Sequence, residues 1–200
     1  MTEQGRFSTP WLPGVFALTW LVLCLVLMTA VPRSTVAEQL GLLELMNYAE
    51  YSDRLASSGQ PTPEQLAVIA EAGVKAVISL VPLGEPGTYA DEGERIEALG
   101  MAYVHIPVDW EQPPLADLEA FFAAMARFDG HPVLVHCYAN ARASAFVYLW
   151  RTLKAGQDEA AARQTMVSVW DLNEGYEFAN VPHWVAFVDS AIATYSAAAE

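Results

Sequence analysis

The sequence predicts an α/β fold: a parallel sheet of about four strands with helices on both faces, preceded by one N-terminal transmembrane helix. Three observations carry this expectation. Short β-branched runs such as "KAVISLV" alternate with helical stretches, the order of a parallel sheet covered on both sides. The chain has 200 residues and is 54% hydrophobic, enough for one domain with a full core plus an appendage. Before residue 34 lies an apolar run of a different kind, long and without a polar face.

That run, Trp11 to Val31, is 21 residues without a charge, flanked by Arg6 and Arg33. At about 1.5 Å per residue, a helix of this length spans the roughly 30 Å hydrocarbon core of a bilayer. Pro13 and Gly14 sit near its start, where a helix break costs little. The apolar region of a signal peptide is shorter, usually about 7–15 residues. Even so, "STVAEQ" offers Ala37 as a cleavage point, with Thr35 two residues before it. The chain therefore divides into an anchor or signal segment, 1–33, and a folded part, 34–200. One arginine on each side leaves the orientation of an anchor undetermined.

The folded part reads in order. In "SGQPTPEQLAVIAEAG", Ser58 to Pro61 is a turn, Thr62 an N-cap, Pro63 the first helical position and Gln65 the closing residue of a capping box. Gly73 then ends that helix. "KAVISLV" is a buried strand by length and composition. "ADEGERIEALG" is a short acidic helix stopped by Gly100, and "MAYVHIPV" is the next strand, with His105 a structural residue inside it. "DWEQPP" breaks the chain into a loop. Beyond it Leu115, Leu118, Phe122, Met125 and Phe128 fall at helical spacing, with Gly130 as the stop. "PVLVH" is a further strand, and "ASAFVYLW" is apolar nearly all round, the pattern of a central buried helix. Two more helices are expected at about 157–170 and 183–198, with Trp170 and Trp184 as packing residues and His131 and His183 at element ends. Sites in such folds open at the carboxyl ends of the strands. Asp109 and Cys137 each directly follow a strand, so both are expected on one edge of the sheet.

Composition excludes several functions. With 24 Asp+Glu against 10 Lys+Arg the net charge is −14, a surface that repels nucleic acid. Only Glu3, Arg6 and Arg33 carry charge before Ser34, so the folded part holds 23 acidic and 8 basic residues, net −15. Cys24 lies in the apolar run, which leaves Cys137 alone in the folded part and without a disulfide partner there. The four histidines are scattered and no glycine-rich nucleotide fingerprint appears, so neither a metal nor an organic cofactor is implied.

The chemistry concentrates in "PVLVHCYANARASAFVYLW", Pro132 to Trp150, where a strand passes through a short polar loop into a helix. Such a junction points backbone N–H groups into one concavity, and the helix dipole adds positive potential. Cysteines at junctions of this kind are commonly nucleophilic thiolates. Arg142 can hold two oxygens of a phosphate or sulfate, or can pair with a structural carboxylate. Ser144 can donate to the Cys137 sulfur, and His136 can order the loop from behind. Asn140 tolerates the left-handed backbone that such a loop needs.

"VHC…R" after a strand resembles the signature of the cysteine-dependent tyrosine and dual-specificity phosphatases. "SGQPTPEQLAVIAEAGVKAVISL" and "YVHIPVDW" resemble the bacterial tyrosine-phosphatase-like family, which includes domains fused to β-lactamase-like hydrolases. The resemblance covers about Asn47 to Trp150. It implies a cysteine-phosphatase-like fold and a hydrolase of phosphomonoesters acting through a phosphocysteine on Cys137. It also implies that Arg142, with the loop residues His136, Tyr138, Ala139, Asn140, Ala141 and Ser144, binds the phosphoryl group. Asp109 would protonate the leaving oxygen and then activate water; its alternative role is to cap the turn before Pro113, with Glu111 and Asp91 as substitutes. The implied partners are a phosphorylated small molecule or a phosphoprotein. A bacterial relative with residues 11–31 as anchor would be single-pass at the inner membrane, and cleavage would instead release an exported soluble form.

The loop departs from the phosphatase pattern. Four residues, Tyr138 to Ala141, separate Cys137 from Arg142, where that pattern has five. Either the loop keeps its length, with Asn140 at the usual glycine and the arginine displaced by one, or the ring is tighter. The C-x4-R spacing resembles rhodanese-type sulfurtransferases, in which Cys137 would carry a persulfide. A third reading is a membrane-tethered anion-binding module without catalysis.

Overall fold

A computed structural model describes residues 41–197. Its sheet is built round β5 (Val133–His136), which lies between β2 (Leu55–Ser58) and β3 (Ala76–Ser79). β4 (Ala102–His105) flanks β3, and β1 (Ala49–Ser52) flanks β2, giving the order β1-β2-β5-β3-β4. β2, β5, β3 and β4 run parallel, as expected. The count of about four strands needs correction to five, because β1 pairs antiparallel with β2 across a tight turn at Asp53–Arg54. "AEYSDRLASS" hides this hairpin. Its strands are four residues each, β1 alternates between half-buried and exposed positions, and the pairing slips between Glu50 and Ser52.

Helices cover both faces. α1 (Gln65–Glu71) and α2 (Glu92–Ala98) pack Leu66, Ile69 and Ile96 against Val77 and Leu134. The opposite face takes Ala76, Ile78, Val133 and Val135, the alternate positions of the same strands. Over it lie α3 (Leu115–Arg127), α4 (Ala141–Leu153), α5 (Glu159–Trp170) and α6 (Pro182–Ala197), with a 3-10 turn at Phe178–Asn180 before α6. α4 is buried continuously from Ala141 to Leu149, which accounts for its apolar circumference.

Several local signals act as written. The capping box forms in both directions: Gln65 N–H donates to Thr62 Oγ1 at 3.3 Å, and Thr62 N–H to Gln65 Oε1 at 2.9 Å. Regular helix begins two residues after Pro63, at Gln65. Gly73, Gly100 and Gly130 take positive φ where the helices before them stop. Trp170 and Trp184 are fully buried, and His105 Nε2 lies 2.8 Å from the Val81 carbonyl inside the structure.

The expected membrane segment 11–31, the cleavage point at Ala37 and the boundary after Arg33 lie outside the described residues. Among the described residues no helix is long and apolar enough to cross a membrane.

Candidate active site

Ser58, His136, Ser79 and His105 lie in register across the four parallel strands, so the loops that follow them leave from one edge. These loops carry Gly59, Cys137, Glu85 and Asp109 respectively. β5 is the middle strand, so Cys137 emerges at the centre of that edge.

The loop after β5 is held from outside. Gly59 forms an isolated bridge with Ala139, and Gln60 N–H donates to the Tyr138 carbonyl at 2.9 Å. A Cβ on Gly59 would stand 2.9 Å from that carbonyl oxygen and from the Met46 Cβ, so glycine is what lets β2 approach. Asn140 takes the left-handed conformation, φ 67° and ψ 0°, at the N-cap of α4. Its amide donates to the Asn47 carbonyl at 2.6 Å, while Asn47 Nδ2 donates to the Ala139 carbonyl and to Asn173 Oδ1, each at 3.0 Å. Asparagine thus supplies both the backbone freedom and a tie to the β1 side of the fold.

After this turn, Ser144 N–H bonds the Asn140 carbonyl at 3.0 Å. Among the described residues, no carbonyl or side chain accepts from the N–H groups of Tyr138, Ala139, Ala141, Arg142 or Ala143. They form the open donor set of a loop passing into a helix. The Ser144 hydroxyl donates to the Ala141 carbonyl at 3.0 Å, a bond inside the first turn of α4 and not one to the Cys137 sulfur.

Cys137 and Arg142 line one cavity of about 540 Å³, with Tyr138, Ala139, Ala141 and Glu85 among its other walls. Arg142 is 3% exposed, and its guanidinium is gripped at its far end. Nη1 donates to Glu85 Oε1 at 2.8 Å and to the Val108 carbonyl at 3.0 Å, and Nη2 donates to Glu85 Oε2. Burial works against charge on Arg142, but its hydrogen bonds and its electrostatic interactions with Glu85 and Cys137 outweigh it and hold the guanidinium above its usual range. Of its five N–H groups, the Nε–H and one Nη2–H find no nitrogen or oxygen acceptor, and the Cys137 sulfur is the group left within reach of the guanidinium. Those two groups share one edge of the planar guanidinium and match two oxygens of a tetrahedral anion. Of the two roles expected for Arg142, pairing with a carboxylate occupies one edge of the group and leaves the other edge available to an anion.

His136, next to Cys137 in the chain, is fully buried and does not line the cavity. Its Nε2 lies 3.6 Å from Glu92 Oε1, and Glu92 is itself fixed by Gln60 Nε2 and by the Tyr103 hydroxyl at 2.8 Å. Burial pushes the His136 imidazole below the ordinary histidine range, opposed by the charge of Glu92. Asp109 is exposed, and its Oδ1 accepts from Gln112 N–H at 2.8 Å, the turn-capping geometry. Glu111 is exposed on the same loop, and Asp91 pairs with Arg95 at 2.8 Å on α2.

Glu85 is the residue that sequence reasoning missed. It sits in "VPLGEPG", which reads as a plain turn, and its partner is 57 positions away. Trp110 was also passed over. Its ring faces the Arg142 guanidinium at 5.8 Å and packs on Trp170 and Trp184, with centroids 5.7 and 5.5 Å apart. Among the described residues no cluster of His, Cys, Asp and Glu could hold a metal ion.

Residues 29–177 match the family described as DSP-PTPase phosphatase fused to NAD+ kinase. A DUF442 protein from Shewanella putrefaciens CN-32 has the same fold with a TM-score of 0.68 and 42% identity, over 77% of this chain and 94% of that one. TpbA of P. aeruginosa shares the fold at 21% identity and a TM-score of 0.58, over 78% of this chain and 92% of that one. A beta-lactamase hydrolase-like protein of Xylella fastidiosa (strain Temecula1 / ATCC 700964) is 37% identical over 102 residues, 49% of this chain. The matched stretch is 23% of that relative's length, so this chain corresponds to only a part of it.

Proposed function

The chain belongs to the DSP-PTPase phosphatase family, and on that premise we propose that it hydrolyses phosphomonoesters through a phosphocysteine on Cys137. The observation that carries this reading is the free Nε/Nη2 edge of a buried arginine in the cavity that Cys137 also lines. Two phosphoryl oxygens dock on that edge, and the open amides of Tyr138, Ala139, Ala141, Arg142 and Ala143 take the remaining charge. The Cys137 sulfur then stands below the phosphorus for in-line attack, with His136 and Glu92 supporting it from beneath. Glu85 and the Val108 carbonyl keep the guanidinium in place before substrate arrives, so little reorganisation is needed on binding.

The four-residue spacing is accommodated because Asn140 makes the turn at the α4 N-cap, leaving Arg142 in the first turn of the helix and still facing the cavity. The substrate is a phosphorylated small molecule or a phosphoprotein, and the acidic surface favours a neutral or basic surrounding segment. The test is incubation of purified protein with an aryl phosphate and, separately, with thiosulfate and cyanide. Phosphate release that disappears in Cys137→Ser, without thiocyanate formation, is the expected result. Thiocyanate without phosphate release would replace this reading with sulfur transfer.

A further inference from the structure

We propose that Glu92 is a positioning residue for the nucleophile loop, holding the two strand ends that aim the backbone donors around Cys137. The inference rests on the phosphatase reading and concerns a side chain that does not line the cavity. Glu92 opens α2, is 5% exposed, and touches three of the four parallel strands or their exits. Its Oε1 accepts from Gln60 Nε2, just past β2, and lies 3.6 Å from Nε2 of His136, the last residue of β5. Its Oε2 accepts from the Tyr103 hydroxyl of β4 at 2.8 Å. A buried carboxylate is costly unless a cation faces it. Among the described residues no lysine or arginine lies within ion-pair distance of Glu92, and Arg95 on the same helix pairs with Asp91 at 2.8 Å. The titratable groups that face it are His136, Tyr103 and Tyr89, with His105 beside His136. The fold gains little stability from a charge so placed. What it gains is direction, because charge-assisted hydrogen bonds fix Gln60 and Tyr103.

Gln60 passes that direction to the loop. Its backbone N–H donates to the Tyr138 carbonyl at 2.9 Å, and the Tyr89 hydroxyl holds the next carbonyl, that of Pro61, at 3.4 Å. In a planar trans peptide the C=O and the following N–H point opposite ways. A Tyr138 carbonyl drawn toward Gln60 therefore turns the Ala139 N–H away from it, and Ala139 lines the cavity. The second contact of Glu92 acts on the strand that delivers the sulfur, since His136 directly precedes Cys137.

The charged and titratable groups about Cys137 are Arg142, Tyr51 and His136, with Glu85 beyond Arg142 and Glu92 beyond His136. Positioning by Glu92 and the bare effect of its charge differ in sign. Removing a negative charge makes a neighbouring thiol easier to ionise, whereas loss of aimed amide donors makes it harder. The experiment follows alkylation by iodoacetamide against pH on the full chain, read on the peptide containing Cys137, in wild type, Glu92→Gln and Gln60→Met. Aryl phosphate turnover and denaturation midpoints are measured alongside. The expected result is an alkylation midpoint moved to higher pH, by about one unit in Glu92→Gln and less in Gln60→Met, with kcat/KM at neutral pH down about tenfold in Glu92→Gln. A midpoint moved to lower pH in Glu92→Gln would show only the missing charge. An unmoved midpoint with lowered stability would show a structural strut; either overturns the proposal. Should Glu92→Gln fail to fold, Gln60→Met changes no charge and decides alone, an unmoved midpoint there overturning the proposal. Alkylation is read without turnover, so this outcome stands apart from the phosphatase reading, which fails if the wild type releases no phosphate.

Discussion

At the scale of single residues, the site depends on side chains doing two things at once. Asn140 holds a left-handed backbone and ties the loop to Asn47. Asn140→Gly loses only the tie, whereas Asn140→Ala loses the tie and also meets the left-handed penalty of about 1–2 kcal/mol. Urea denaturation should therefore rank alanine as the less stable variant by about that amount. Glu85 offers a sharper case. Glu85→Gln removes the charged partner of a buried guanidinium and is expected to cost about 1.5–3 kcal/mol of stability. It should also lower kcat/KM by about 10–100-fold, because Arg142 is no longer held in position; denaturation and aryl phosphate turnover measure the two effects. His136 predicts a pH dependence. Its folded-state pKa is pushed down by burial, so the unfolded chain binds the proton more readily. Stability from this group is complete above the ordinary histidine pKa of about 6.5 and declines as pH falls below it, by at most about 1.4 kcal/mol per pH unit. His136→Asn should flatten that acid-side slope in a pH series of denaturation midpoints.

At the scale of elements, what was legible in the sequence is what is encoded locally. The strand, loop and helix around Cys137, the capping box at Thr62 and Gln65, and the buried character of α4 each follow from a contiguous pattern. What was hidden depends on distant partners. The β1–β2 hairpin has no apolar run and is defined by β2 finding β5. Glu85 gains meaning only when α4 brings Arg142 to it. The contact between the end of β2 and the loop makes an element-level prediction. Gly59→Ala places a methyl group 2.9 Å from the Tyr138 carbonyl, so either β2 or the loop must shift. A stability loss of about 1–3 kcal/mol is expected, with turnover of an aryl phosphate falling more than tenfold as the donor set is displaced.

At the scale of the whole molecule, a net charge of −14 surrounds the proposed anion site. The attraction is local, from Arg142, the open amides and the start of α4, while the long-range field repels. Raising ionic strength shortens the Debye length from about 30 Å at 0.01 M to about 8 Å at 0.15 M. Over that range kcat/KM for a dianionic aryl phosphate should rise, while alkylation of Cys137 by neutral iodoacetamide should stay nearly constant. A fall in kcat/KM would mean that an attractive field reaches beyond the cavity. The central claim is that the Cys137 sulfur and the Arg142 guanidinium act on one phosphoryl group despite standing five positions apart. Acid quenching during aryl phosphate turnover, followed by mass spectrometry of the peptide containing Cys137, tests it most directly. The account predicts a phosphoryl adduct on Cys137, absent in Cys137→Ser and much reduced in Arg142→Lys. Turnover that persists in Cys137→Ser, or proceeds with the adduct on another residue, would contradict it.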